Sequence, residues 1–569
     1  MLSSLSPLAL PPSAAGLLER ARVAFTAPTY RRFVLLCVAA IIAVRRRTVS
    51  RLLWAARWLR PSPSSPDGGD GGGGADADLG LGHYSSYHRV FSAARWCPLV
   101  LARVLAELAL QRVPEGEPVV LCGDDTVAEH RGRRVFGKAC HRDAVRSATS
   151  RVALVWGHKW VTLAVNVSLP PCSRAWALPL LAALYVPPAA AAEDKANGKA
   201  KDKAKAKARS RSRVLDLRRR DPATGKLPPR DKTPALLMRQ MLAVMIRWFP
   251  DRRFILLGDW GFGSHELAWF CHRHRRRVAL VARFRGDATL YALYVPRPLP
   301  PKPRGKRGTK PAQANDKDKA NDKANDKDKA NDKAQANDKA QANDKAPPPA
   351  RPRWLCRKGR RLPRPSDAVN EAVATCRRRS RVRWYGGRLR DVELLGGCGG
   401  WYRGRGGGRA AVVPVRWVWC RERVHGGQAY FYTTDVSLRP ERIVALYAAR
   451  WAIEVTFEEA RAHLGFDTTR QWCRDAVRRT VPCLLGLFTA VALTWADLAT
   501  AARRAGRAVK VHTTPCYAKA DPTFADAIAA VRVMLWEQVI LPHTPHGELV
   551  TNLPVPLREL LLDQLTAVT

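Results

Sequence analysis

The segment Pro440 to Gly465, PERIVALYAARWAIEVTFEEARAHLG, constrains this chain more than any other. Proline at its start and glycine at its end suit the first turn and the stop of a helix, predicted over Arg442 to Gly465. At about 100° per residue, with Tyr447 as zero, Arg450 falls near 300°, Arg461 near 320° and Glu454 near 340°. One narrow stripe therefore carries a phenol, a carboxylate and two guanidiniums. Ile443, Leu446, Ile453 and Phe457 flank it with apolar surface. A salt-bridged amphipathic helix shows the same pattern. Glu458 falls one turn from Glu454, where it could support that carboxylate.

Two aspartates elsewhere give the stripe a chemical meaning. Asp125 follows a predicted strand in VVLCGDDT, and Asp259 ends another in FILLGDWGF. Two strand-end aspartates and a helical glutamate can meet at one edge of a sheet. Three carboxylates there can hold two divalent cations about 3.5–4 Å apart, the arrangement of two-metal phosphoryl transfer. Hard oxygen ligands select Mg²⁺, with Mn²⁺ as a substitute, over zinc. Asp124 adjoins Asp125 and is the alternative ligand; the threonine that follows favours Asp125. His141, His158 and His265 stand alone in the sequence and read as structural.

The partner is indicated by charge. Ninety-seven basic against 49 acidic residues leave +48 on 569 residues. That excess points to a polyanion, with nucleic acid first and an anionic membrane surface second. Residues 312–346, in which Asn-Asp-Lys recurs six times, hold eight Asp and eight Lys. This tract is neutral, so the whole excess lies outside it. The early apolar run Phe33 to Val44 is too short to span a bilayer unaided and is bracketed by arginines, so no membrane role is expected. Thirteen cysteines without a CxxC pair fit a reducing compartment and no structural zinc.

In chain order, residues 1–60 read as helical and DNA-binding, with helices over 31–44 and 49–59 joined by a basic turn; Arg51 and Arg57 are the candidate contacts. Residues 61–82 form a Gly/Ser/Pro linker, and 83–116 are helical. Residues 117–290 alternate short strands with helices around a basic loop, 187–232. Residues 291–365 form a low-complexity insert, expected to be disordered. Residues 366–440 read as an antiparallel β insertion with glycine turns. Residues 441–500 hold the central helix, and 501–569 are helical.

With these residues assembled, the chain resembles the DDE transposases of bacterial insertion sequences, specifically the IS-four superfamily. That signature runs Tyr, two residues, Arg, three residues, Glu, six residues, Lys. It reads here Tyr447, Arg450, Glu454 and Arg461, with Arg in place of Lys. Asp125-Thr126 and Asp259, with Phe262-Gly263 after it, match the two aspartate motifs, and the likeness spans roughly 118–500. The resemblance implies an α/β fold: a ribonuclease-H-like mixed sheet with flanking helices, interrupted by the β insertion, with helical N- and C-terminal regions. It implies that Asp125, Asp259 and Glu454 are catalytic metal ligands for Mg²⁺ in a two-metal site. Tyr447, Arg450 and Arg461 would grip phosphates near the cleaved end. The implied activity is DNA cleavage at element ends and strand transfer, cut-and-paste transposition by a homodimer on DNA. The implied location is the bacterial cytoplasm. Trp384, Trp401 and Trp417 lie where this family can stack a flipped base. The alternatives are a nuclease that only hydrolyses DNA, and a repurposed, inactive transposase acting as a basic DNA-binding protein.

Overall fold

A computed structural model describes residues 10–44, 46–56, 83–132, 134–143, 146–148, 150–187, 233–294, 357–403, 411–423, 426–513, 518–543 and 547–566. Arg57, the linker at 61–82, and nearly all of the basic loop and of the low-complexity insert lie outside these residues.

The chain opens with helices α1 (Pro12–Ala21), α2 (Ala27–Ile42) and α3 (Val49–Ala55), then α4 (Ser85–Ser92) and α5 (Pro98–Leu110). The helix expected over 83–116 is thus two, because Pro98 opens a new one. Strands β1 (Val119–Glu129), β2 (Ala139–Arg142), β3 (Leu154–Ser168) and β4 (Ala175–Tyr185) follow. Next come α6 (Pro234–Trp248), β5 (Phe254–Gly258), α7 (His265–Arg273), β6 (Val278–Arg283), β7 (Leu290–Tyr294), β8 (Arg357–Arg361) and α8 (Pro365–Glu371). Then β9 (Arg378–Arg383), β10 (Leu389–Arg403), β11 (Ala411–Glu422) and β12 (Gln428–Thr433) lead to α9 (Pro440–Ala449) and α10 (Ala452–Leu464). The chain closes with α11 (Arg474–Arg504), α12 (Phe524–Leu535), α13 (Gly547–Thr551) and α14 (Val555–Thr566). Local signals account for several starts. Thr233 accepts from the Leu236 amide at 3.2 Å, and Ser264 from the Leu267 amide at 3.3 Å.

Among the described residues, twelve strands form one mixed sheet in the order β2-β3-β1-β5-β6-β12-β11-β10-β7-β8, with β4 also on β3 and β9 on β10. β1, β5 and β6 are parallel; β3 runs antiparallel to β1. The β unit expected as an insertion is continuous with this sheet, because β12 pairs antiparallel with β6 from Phe431↔Arg283 to Thr433↔Val281. The two ends of the low-complexity insert meet in one ladder, where Tyr294 pairs with Arg357.

The sheet is covered on both faces. Leu121 belongs to a large core shared with α2, α5, α6, α11 and α12. Its neighbour Cys122 belongs to a smaller core with Ile443, Leu446, Ile453 and Phe457 of α9 and α10. Successive strand residues face opposite sides, so β1 feeds both cores. α11, 31 residues long, is apolar enough to cross a membrane by length and composition, yet 67% of its apolar window is buried inside the protein. Trp176 stacks on its Trp495 at 5.4 Å.

Candidate active site

The parallel register sets the site. Gly123 pairs with Gly258, so the next residues, Asp124 and Asp259, lie side by side where β5 ends. The two glycines differ in what a side chain would meet: the movable end of Met238 at Gly123, and the fixed Cβ of Phe262 at Gly258. A Cβ on Gly123 would stand 2.7 Å from the Met238 methyl of α6, and one on Gly258 would stand 2.8 Å from the Phe262 Cβ. Asp259 then folds the chain back, its Oδ1 accepting from the amides of Gly261 at 2.9 Å and Phe262 at 3.2 Å.

β1 does not stop at the aspartates, as the sequence suggested, but runs on to Glu129. Asp124 and Asp125 are therefore mid-strand and face opposite sides. Asp124 shares the face of Cys122 and points at the helices. Arg450 donates from one amino group to Asp124 at 2.7 Å and from the other to Glu454 at 2.6 Å. Asp125, preferred from the sequence, shares the other face with Val161 and pairs with Lys159 at 2.9 Å. Lys159 carried no signal in the sequence; only the register brings it beside Asp125.

The helix expected to run unbroken from Arg442 to Gly465 is two helices joined at Arg450–Trp451. The amides of Arg450, Trp451, Ile453 and Glu454 each bond three residues back, to Tyr447, Ala448, Arg450 and Trp451. This tight turn preserves the stripe and aims Arg450 between two carboxylates. Tyr447 lies under the Arg450 guanidinium at 5.5 Å and packs on Phe431 at 4.5 Å. Arg461 spans from α10 to β1, donating to the Thr126 hydroxyl and, at 3.2 Å, to the Val127 carbonyl, and pairing with Asp467 at 3.1 Å. Both guanidiniums thus have acceptors within the protein. Glu458 is exposed on α10.

The electrostatics follow from burial. It pushes the Asp124 carboxyl up to about 7, with Arg450 opposing and Asp259 adding to the rise. Burial also raises Asp125, against the pull of Lys159. Burial alone would lower Arg450, but Asp124, Tyr447 and Glu454 outweigh it and hold the guanidinium charged. Crowded, half-buried carboxylates are the environment that a cation relieves. Among the described residues, no three His, Cys, Asp or Glu side chains already stand at metal-ligand spacing. The oxygen-only donor set of Asp124, Asp259 and Glu454 nonetheless fits hard divalent cations rather than zinc.

The remaining candidates fall elsewhere. Arg51 is exposed on α3, its guanidinium 5.3 Å over the Trp54 ring. In the same basic turn Arg47 is buried and donates to the Ala40 and His463 carbonyls. Trp401 and Trp417 are core residues of the β unit; Trp401 packs on Phe284, Tyr432 and His265. Trp384 packs under Arg390 at 5.4 Å, near Tyr385, whose ring stacks on Trp451 at 5.3 Å. His158 and His265 are buried against carbonyls, at 2.8 Å from Phe136 and 3.1 Å from Trp401. His141 is buried in β2, its ring 6.2 Å from that of Tyr185.

Half-buried aspartates on neighbouring parallel strands, with a helical glutamate tied to one of them through Arg450, are a carboxylate arrangement suited to phosphodiester chemistry. The chain belongs to the DDE superfamily endonucleases, whose family model matches residues 22–344. That span includes Asp124, Asp125 and Asp259 and ends before α9 and α10. No curated protein matches the chain. A solved structure similar in part is the cryo-EM piggyBac transposase synaptic complex with hairpin DNA, at 10% identity and TM-score 0.34, covering 99% of this chain and 82% of that one.

Proposed function

We propose that this endonuclease-family protein is a transposase that cleaves DNA at element ends and joins them to a target, with Mg²⁺ as cofactor. The observation carrying this reading is the juxtaposition of Asp124 and Asp259 on neighbouring parallel strands, with Glu454 tied to Asp124 through Arg450. The sheet order β4-β3-β1-β5-β6, antiparallel then parallel, supports a ribonuclease-H-like core.

Asp124, Asp259 and Glu454 would hold the metal; Asp125 would serve through Lys159 as a support of β1. Bound divalent ions supply Lewis-acid charge and an activated water or 3′-hydroxyl at the phosphorus. Arg450 holds Asp124 and Glu454 in line by donating to both. Tyr447 supports Arg450 from beneath, and Arg461 ties α10 to β1. DNA is the polyanion that the +48 charge serves. A dimer on DNA and a bacterial cytoplasmic setting remain part of this proposal.

The test is nicking of supercoiled DNA with Mg²⁺ and with chelator, beside strand transfer from a cleaved end. Nicking that needs the metal and disappears in Glu454→Gln is expected; metal-independent nicking overturns the reading. One observation favours a second reading, the inactive DNA-binding protein: the Arg450 guanidinium already occupies the space between two of the three carboxylates. DNA binding without nicking by the parent protein would select it.

A further inference from the structure

The β unit carries a row of cations that the catalytic reading does not use. Arg378, Arg379, Arg381 and Arg383 on β9, and Arg439 and Arg442 at the start of α9, are all exposed. Arg378, Arg381, Arg383, Arg439 and Arg442 line one open concavity of about 490 Å³. Two carboxylates answer them. Glu441 pairs with Arg378 at 3.2 Å, and Asp391 with Arg381 at 3.4 Å. Arg379, Arg383, Arg439 and Arg442 have no acidic partner among the described residues.

Among the described residues β9 is an edge strand, bonded only to β10. Charge on an edge guards against pairing with another chain. That accounts for the arginines of β9 but not for Arg439 and Arg442, which come from a helix and face the same concavity. The concavity is lined by no aromatic ring, so it offers no platform on which a base could stack. Backbone phosphate is what remains to be bound. The choice of side chain agrees: no lysine occurs between Lys358 and Lys510, and the planar guanidinium fork matches phosphate oxygens in pairs.

We infer that the β9 row with Arg439 and Arg442 is a docking rail for the phosphate backbone of duplex DNA, separate from the carboxylate site and blind to sequence. It rests on the endonuclease reading for the identity of the polyanion. The rail holds DNA against the β unit and takes no part in the chemical step.

The experiment compares the parent with Arg379→Ala/Arg383→Ala/Arg439→Ala/Arg442→Ala in binding a labelled duplex of arbitrary sequence across a salt series. Each lost phosphate contact removes about 0.9 from the log–log salt slope, so a fall of about 2 to 4 is expected. The same fall is expected for duplexes of different sequence. The four-lysine version should restore most of the slope, and an unchanged melting temperature would show that folding is intact. Nicking at saturating DNA should match the parent. If the parent binds duplex and the variant keeps its slope, the rail is wrong and the endonuclease reading stands. If the parent binds no duplex, both fall. A slope that drops for one sequence only overturns the sequence-blind rail.

Discussion

At the scale of single residues, the decisive contrast is between Asp124 and Asp125. They are adjacent in sequence, but the strand turns one toward Arg450 and Glu454 and the other toward Lys159. Asp124→Asn should abolish metal-dependent nicking while binding of DNA persists. Asp125→Asn leaves Lys159 half-buried without its carboxylate, so it should mainly lower stability, by about 1–3 kcal/mol. Nicking rates and melting temperatures of the two variants check this, and a dead Asp125→Asn with a normal Asp124→Asn would reverse the assignment. No reading of the sequence could separate these residues, because only the β1–β3 register decides the face. The pattern did reveal that an aspartate here, Asp259 and Glu454 belong together. A second residue-scale consequence concerns His130, His141 and His158, each pushed down to about 4 by burial and nearby cations. Free histidine titrates near 6.5, so as pH falls the unfolded chain takes protons first. Their contribution is complete above about pH 6.5 and drains away between there and about pH 4. Melting temperature should fall over that window, and His130→Gln should flatten the fall; equal pH dependence in both proteins would remove these groups as the cause.

Elements were legible in proportion to how cleanly they alternate or cap. Thr233-Pro234 announced α6, and the amphipathic stripe announced α9 and α10. β4 was missed because AWALPLLAALY is apolar almost throughout, with residues 176–180 buried in succession. A strand covered on both faces has no period for a sequence pattern to detect. The turn at Arg450–Trp451 was invisible for a different reason. No glycine or proline marks it, and it arises from where α9 and α10 must pack. The end of α10 is marked, by Gly465 in the left-handed region at φ 62° and ψ 40°. Gly465→Ala should cost about 1 kcal/mol there. Gly465→Asn should cost less, because asparagine tolerates that conformation better. Thermal melts of both variants test the ranking, and an alanine variant as stable as the parent would show that the turn relaxes without strain.

Across the whole molecule, the regions expected from the sequence condense, among the described residues, into one continuous sheet with two cores, and the expected β insertion is its extension rather than a separate body. Deleting residues 312–346 should leave folding and nicking nearly unchanged, because loop closure depends weakly on length and the tract carries no side chain larger than Ala among its apolar residues. A large fall in melting temperature would show that the tract bridges other parts. The pairing of Tyr294 with Arg357 gives this tolerance a structural basis. Whatever leaves the sheet after β7 must return to a point one strand away, so the sheet registers only that the path closes. The chain can therefore gain or lose sequence at this junction without any neighbouring strand having to shift. The same junction is a ready port: a fluorescent protein or affinity module with adjacent termini could be spliced between β7 and β8, reporting on the molecule while leaving its carboxylates undisturbed.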